Sequence, residues 1–294
     1  MTTKPNNSFC VFIISHGRAD KIVTLKTLER CGYTGKLFIV CDNEDKSLAQ
    51  YREKYGAKMV LVFDKPRYAA MVDSCDNFQN RRTTTHARNA CFDFAKQLGI
   101  EHFLVLDDDY TGFRNIYHAA GSFLRRPIRK IDAIFESVVA LLNSDERIDS
   151  ICFIQGGDLI GGFSSIEKGI FPFKKRKAMN SFFCKTSRRF WFFSRLNEDV
   201  NTYLHHGNRG RIFLSLPEIQ LDQALTQATS GGMSDAYLAS GTYVKSFYTT
   251  MICPSFARVT IPLTNTSRTI RRIHHRISWN NAVPKILSDE HRKT

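Results

Sequence analysis

No apolar run in this sequence approaches the roughly 20 residues that a helix needs to cross a bilayer, so a transmembrane helix is excluded and no membrane partner is expected. The eight cysteines contain no CxxC pair and no zinc-like cluster, which removes the usual structural-zinc and dithiol frameworks. Most of them fall inside apolar runs, where a thiol acts as a small hydrophobe. The opening "MTTKPNNSFC" lacks the charged-then-apolar profile of a secretory signal, and a reduced, cytoplasmic protein is expected. Internal repeats and low-complexity tracts are absent as well, which argues against solenoid and disordered designs. Proline is scarce, with eight residues against 23 phenylalanines, and 43% of the chain is apolar. At 294 residues it can bury a full core, as one large domain or a domain with an extension.

Acidic residues are also missing where basic ones gather. From Lys168 to Arg195 there are nine Lys or Arg and no Asp or Glu; from Arg258 to the end, eight basic residues face two acidic ones, within a net charge of +14. Concentrated positive charge attracts polyanions by releasing their counterions, so nucleic acid is a candidate partner. Solubility, or a site for one small phosphate ligand, would explain the charge too. Both blocks interleave cations with aromatics and histidines, which favours the polyanion.

The first third alternates strand and helix. "FCVFII" (9–14) is a continuous apolar run ending in the polar loop "SHGRAD", and "KIVTLKTLERCG" reads as a helix stopped by Gly32. "KLFIVCDNED" (36–45) repeats the design, "LAQYREKYG" is a helix ending at Gly56, and "KMVLVFD" is a third strand. In "NRRTTTHARNACFDFAKQLGI", Ala87, Ala90, Cys91, Phe94, Ala95 and Leu98 share one helix face, and Gly99 supplies the stop. "HFLVLDDD" is a fourth strand. Such alternation predicts an α/β sandwich with a mostly parallel sheet. Further on, "IDAIFESVVALLN" (131–143) is an amphipathic helix and "IDSICFIQGG" (148–157) a buried strand. "FFCKTSRRFWFF" (182–193) is expected to form two short strands around a turn, and "RIFLSLPEIQLD" a strand followed by loop. "RLNEDVNTYLHHG" places Asn197 at a helix N-cap, and "GGMSDAYLASGTYVKSFYTTM" is helical in parts.

In open parallel sheets, ligands bind beyond the carboxyl ends of the strands. Ser15–Arg18, Asp42 and Asp107–Asp109 all fall there, with His86, Arg88 and Asn89 opening the helix before the fourth strand. Three adjacent carboxylates could hold a metal, cap a helix or form a solvated turn. Their mutual repulsion in a partly dehydrated site favours a hard cation, Mg²⁺ or Mn²⁺, on Asp107 and Asp109, leaving Asp108 for a ribose hydroxyl or a structural bond. Arg88, near a helix start, suits a diphosphate, and Asp42 could accept from a base N–H. Glu198 or Asp199 could act as a general base; first-turn acids also stabilise a helix by themselves. The pairs His205–His206 and His274–His275 are candidate metal ligands or phosphate contacts.

Taken in order, Ser15–Asp20, Asp42, Arg88–Asn89, Asp107–Asp109 and Glu198–Asp199 resemble the GT-A glycosyltransferase pattern. "SHGRADKIVTL", "TTTHARNACFDFA", "FLVLDDDY", "GGMSDAYLASGTYVKSF" and "RRIHHRISWNNAVPKIL" are similar to the TET-associated DNA glycosyltransferases of bacteriophages, over nearly the whole chain. The resemblance implies a GT-A-like, Rossmann-type sheet flanked by helices over residues 1–257, with a nucleotide-sugar half to about 115, an acceptor half after it, and a basic segment, 258–294, folding back over the active site. It implies a nucleotide-sugar donor (a UDP-sugar), Mn²⁺ or Mg²⁺, and double-stranded DNA carrying 5-hydroxymethylcytosine, in the host cytoplasm for a phage protein. Asp107, Asp109 and His275 would then be metal ligands, and Ser15, Arg18, Asp42, Arg88, Asn89, Asp108 and His274 would surround the nucleotide sugar. Asp199 or Glu198 would be the base. Lys174, Lys175, Arg188 and Arg189 could hold the DNA backbone, with Trp191, Trp279 or Phe190 stacking on bases. A glycan or protein acceptor, a sugar-phosphate nucleotidyltransferase and a non-catalytic DNA-binding protein are the alternatives.

Overall fold

The computed structural model describes residues 8–119, 122–155, 177–223, 233, 241, 243–261 and 273–283. In chain order they form β1 (Phe9–Ile14), α1 (Val23–Arg30), β2 (Lys36–Asp42), α2 (Leu48–Tyr55), β3 (Val60–Phe63), α3 (Lys65–Met71), α4 (Thr85–Gln97), β4 (His102–Asp107), β5 (Tyr110–Ala119) and β6 (Ser122–Pro127). Then come α5 (Ile131–Asn143), β7 (Ile148–Gln155), β8 (Phe182–Lys185), α6 (Glu198–Gly207), β9 (Ile212–Gln223), α7 (Val244–Ile252), β10 (Ala257–Thr260) and β11 (His274–Ile277).

Nine strands make one sheet, in the order β3-β2-β1-β4-β8-β7-β9-β5-β6. The expected parallel core is there: β1 pairs in parallel with β2 and β4, and β2 with β3. The sheet as a whole is mixed rather than mostly parallel. β7 and β9 add one parallel pairing, while β4–β8, β7–β8, β5–β9 and β5–β6 are antiparallel. In this second half β6, α5 and β7 form one further strand–helix–strand crossover between parallel strands, while its antiparallel pairings carry no such unit and are not legible from the alternation of the first third.

Every residue of β1 is buried, and the strand alternates between two cores. Cys10, Phe12 and Ile14 face a cluster that includes Ala90, Cys91 and Ala95 of α4. Phe9, Val11 and Ile13 face one that includes Leu28 of α1 and Phe135, Val138 and Leu142 of α5. Helices thus cover both sides of the sheet, the condition under which strands read as unbroken apolar runs. Phenylalanine fills both layers edge to face, as in Phe92–Phe103 at 4.9 Å and Phe153–Phe183 at 5.3 Å.

The stretch 182–193 departs from its expected strand pair. Only Phe182–Lys185 is a strand, and Phe190 and Phe192 are core residues packed against each other at 5.1 Å. β9 also differs: it continues as a strand through Pro217, with a register shift against β7 between Phe153 and Ile154 that accommodates the missing N–H. Strands β5 and β6 and helix α3 were not expected. β6 is an edge strand with an exposed outer course, so it carries no apolar run for sequence to show. β10 and β11 form a separate antiparallel pair against α7, and the tail lies on the core through Ile277 and Trp279. Among the described residues, no helix is long and apolar enough to cross a membrane.

Helix α1 stops at Gly32 (φ +78), with the N–H of Tyr33 returning to the carbonyl of Leu28 at 3.0 Å. A Cβ at Gly32 would stand 2.6 Å from the Arg129 carbonyl oxygen, whereas Gly56 (φ +84) faces open space. Gly56→Ala is expected to lose about 1–3 kcal/mol from its positive-φ backbone alone. Gly32→Ala should lose distinctly more, as measured by urea denaturation of both variants; equal losses would contradict the close approach.

Candidate active site

The chain leaves β1 on one side and returns as β4 on the other, which places a topological switch point between their carboxyl ends. A cavity of about 300 Å³ opens there, lined by Ser15, Arg18, Asp42, Arg88, Asp107, Asp108, Asp109, Glu198 and Asp199 among others. Ser15, Arg18, Asp42, Arg88 and Asp107–Asp109, expected at one rim, line it together with Glu198 and Asp199, which the resemblance added; His86 and Asn89, expected there too, do not.

The acid turn is fixed from below by α1. The Thr24 hydroxyl donates to the Asp107 carbonyl at 2.7 Å and accepts from the Tyr110 N–H at 3.0 Å, and the Thr27 hydroxyl donates to the Tyr110 carbonyl at 2.9 Å. Each aspartate then has a different environment. Asp107 accepts from Arg88 Nη2 at 3.1 Å and from the Tyr110 hydroxyl at 3.2 Å. Asp108 accepts from Ser15 Oγ at 2.6 Å and Arg18 Nη1 at 2.9 Å. Since the Ser15 hydroxyl proton is given to Asp108, the Tyr51 hydroxyl donates to Ser15 at 2.7 Å while accepting from the Arg18 N–H. Asp109 accepts from the Gln223 amide at 3.1 Å.

Burial pushes the Asp107 carboxyl up to about 7, with Arg88 acting against it and Asp109, Glu198 and Asp108 adding to it. Asp108 and Asp109 are raised too, first by burial, with Arg18 opposing in both. Across the cavity, burial and then the charge of Glu198 raise Asp199 to about 6. These acids are more crowded than Arg88 and Arg18 can offset. Their donor set is all oxygen, which fits a hard divalent cation that takes its remaining ligands from water and phosphate. Among the described residues, no group of three or more His, Cys, Asp or Glu forms a closed metal cage.

Arg88 does not stand free at a helix start to meet a diphosphate. It is 1% exposed, with Nη2 on Asp107 and Nε 3.5 Å from Glu198 Oε1, and its guanidinium lies over the Phe182 ring at 4.8 Å. Glu198 also accepts from the Thr84 hydroxyl at 2.5 Å. Asn197 occupies the N-cap position of α6, but in a left-handed backbone (φ 59), and its side chain donates to Thr249 Oγ1 instead of capping. Asp42 accepts from His16 Nδ1 at 2.7 Å and lies 3.4 Å from Lys65 Nζ. Burial works to raise its carboxyl, yet the bond and charge of His16 and the charge of Lys65 hold it below the usual range.

Other expected residues lie elsewhere. Asn89 is fully buried and spans the Phe192 backbone, donating to its carbonyl at 2.8 Å and accepting from its N–H at 2.9 Å. β8 runs antiparallel to β4, so Lys185 lies opposite His102 at the amino end of β4, and Arg188 follows there, donating to Asp149 at 2.7 Å. That is the rim opposite the cavity. Arg189 pairs with Asp93 at 2.5 Å and covers Trp191 at 4.0 Å; Trp279 stacks on Tyr203 at 6.0 Å. His274 and His275 lie on β11 and do not line the cavity; burial first, then His274, Lys245 and Lys177, lower His275 to about 3. His205 and His206 pack against Phe193 and Phe213. Lys174 and Lys175 lie outside the described residues.

Sequence reasoning missed Lys65, Thr84, Gln223 and Lys245, all of which line the cavity. Lys65 follows the end of β3, where the strand-end rule would have found it. Gln223 closes β9, whose course the sequence does not show.

An α/β sheet with an oxygen-only acid centre at its switch point describes an enzyme of group-transfer type. Residues 9–232, more than half of the chain, match the model of the TET-Associated Glycosyltransferase family, and the chain belongs to that family. It is therefore a glycosyltransferase. No curated protein matches the chain. Similar solved structures include the mannosyltransferase PcManGT from Pyrobaculum calidifontis in complex with GDP-Man and Mn²⁺, at 12% identity over 86% of this chain and 77% of that one, with a TM-score of 0.47. Glucosyl-3-phosphoglycerate synthase from Mycobacterium tuberculosis in complex with Mg²⁺ and UDP is 8% identical over 92% and 86%, with a TM-score of 0.47. S. aureus TarS 1-349 in complex with UDP is 13% identical over 83% and 65%, with a TM-score of 0.41. At these values the likeness is one of outline only.

Asn89→Ala removes both bonds to Phe192 and is expected to cost on the order of 3 kcal/mol in denaturant unfolding, since buried groups lose their partners. Nucleotide affinity of the folded protein should be unchanged; a loss of affinity without a loss of stability would instead mark Asn89 as a ligand contact.

Proposed function

We propose that this glycosyltransferase moves a sugar from a nucleotide-sugar donor, a UDP-sugar, to the hydroxymethyl group of 5-hydroxymethylcytosine in double-stranded DNA. The observation that carries the reading is that Asp107, Asp109 and Asp199 meet in one cavity at the switch point, each with its carboxyl raised by burial. The DNA acceptor is supported by the family's description and by the net charge of +14.

Asp107 and Asp109 would hold a divalent cation, Mg²⁺ or Mn²⁺, which when bound supplies Lewis-acid neutralisation of the leaving diphosphate. Arg88 fixes the orientation of Asp107 from below. Asp42, kept ionised by His16 and Lys65, accepts from a base N–H of the nucleotide. Arg18, held by Asp108, presents its charge to the same cavity. Glu198 is engaged by Arg88 and Thr84, which leaves Asp199 as the base. Its carboxylate takes the hydroxymethyl proton as that oxygen bonds to the anomeric carbon and the bond to the diphosphate breaks.

Hydroxymethylated duplex incubated with a panel of nucleotide sugars and Mn²⁺ should yield a nucleoside heavier by one sugar in mass spectrometry, with release of a nucleoside diphosphate. No mass increase with any donor would refute the acceptor; pyrophosphate release from a nucleoside triphosphate would mark a nucleotidyltransferase. Asp109→Ala should abolish transfer with the fold intact, and normal turnover at saturating donor and Mn²⁺ would remove the metal assignment. Asp199→Asn is expected to slow transfer about 10²–10⁴-fold without weakening donor binding in a titration. An equal loss of donor affinity would make Asp199 a binding group instead.

A further inference from the structure

The loop joining α3 to α4, residues 72–84, belongs to neither helix and yet is firmly held. Arg195 Nε donates to Asp76 Oδ2 at 2.5 Å and Arg195 Nη2 to the Tyr248 hydroxyl at 2.8 Å, while that hydroxyl donates to Asp76. All three side chains are buried or nearly so. The N–H groups of Ser194 and Arg195 donate to the carbonyls of Asp73 and Ser74 at 2.8 and 2.9 Å. The loop is thus docked on the segment that leads directly into Asn197, Glu198 and Asp199 of the cavity. Its other end supplies Arg82, Thr83 and Thr84 to the cavity wall.

Between these anchors stands Phe78, 72% exposed, the most exposed large apolar side chain among the described residues. A single exposed phenylalanine is ordinary on a protein surface. This one is presented. Its N–H donates to Asp76 Oδ1 at 3.1 Å, the Arg195 guanidinium lies 5.4 Å from its ring, and Cys75 and Gln79 on either side adopt positive φ of 60° and 52°. Non-glycine residues keep such conformations only where the surroundings impose them. The local sequence, "DNFQNRR", surrounds the ring with amides and ends in two arginines, of which Arg81 pairs with Glu44 at 2.5 Å.

A cavity of about 300 Å³ is the size of a small-molecule site, and its carboxylates lie at the ends of buried strands. A base still stacked in a duplex cannot bring its hydroxymethyl group to them. We propose that the 72–84 loop opens the acceptor duplex: Phe78 enters the base stack where the target base has left it, and Arg82 meets the adjoining phosphate. This rests on the DNA-acceptor reading above. Apolar wedges flanked by cations are how proteins hold unstacked steps.

The test compares wild type, Phe78→Ala and Phe78→Trp on a hydroxymethylated duplex and on the same strand alone, with 2-aminopurine beside the target reporting unstacking. Phe78→Ala should lose about 5- to 150-fold on the duplex, the equivalent of about 1–3 kcal/mol of stacking. It should stay within about twofold of wild type on the single strand, where nothing needs opening. Wild type and Phe78→Trp should raise the fluorescence of the duplex, and Phe78→Ala should not. Equal losses on both substrates, or no loss on the duplex, overturn the inference while leaving the acceptor reading in place. Failure of wild type on both substrates overturns the acceptor reading and the inference with it.

Discussion

One buried guanidinium holds the acid centre together. Arg88 is closed off from solvent, lies over Phe182 and Phe192, and places its nitrogens between Asp107 on β4 and Glu198 on α6. A charge at that depth is tolerated only because carboxylates surround it, and the carboxylates are tolerated only because of it. The pairing therefore joins the end of a central strand to the start of a helix more than ninety residues later. It links two acids that Thr24 and Tyr110 on one side and Thr84 on the other hold separately.

Three consecutive aspartates share a residue type and differ in everything else. Asp107 looks inward to Arg88, Asp108 is bound to Ser15 and Arg18, and Asp109 accepts from the amide of Gln223. The turn that separates them is held by Thr24 and Thr27, one helical turn apart on α1 and both fully buried. Positioning of this kind, by hydroxyls on a rigid helix bonded to the backbone of the turn, is what keeps mutually repelling groups at set distances.

The basic and aromatic stretch at 182–195 shows how far a charge pattern can mislead. Alternation along it sends Phe190 and Phe192 into the core and leaves Arg189 and Trp191 outside, stacked on each other. Arg188 ends beside Asp149 because β8 runs opposite to β4 and delivers its carboxyl end to the far rim. Arg195, in contrast, lies where the chain has returned to the cavity, and it is spent on Asp76 and Tyr248. The same cationic block thus serves three places in the molecule.

The α/β class, the four parallel strands of the first third and the helix stops at Gly32, Gly56 and Gly99 follow from sequence, because apolar runs, helical spacing and left-handed glycines are local properties. So does the meeting of Ser15, Asp42 and Asp107–Asp109, since the strand-end rule turns chain order into one rim, whereas Glu198–Asp199, at the start of a helix, are joined to them only by the GT-A resemblance. The tertiary structure alone decided the rest: that Asn89 braces a backbone, that Arg88 is a buried counterion, that the second half of the sheet mixes parallel and antiparallel pairings, and that Lys65, Gln223 and the end of the 72–84 loop belong to the cavity wall. Each of these depends on which way a distant strand runs or which partner a side chain finds, and a linear pattern carries neither direction nor partner.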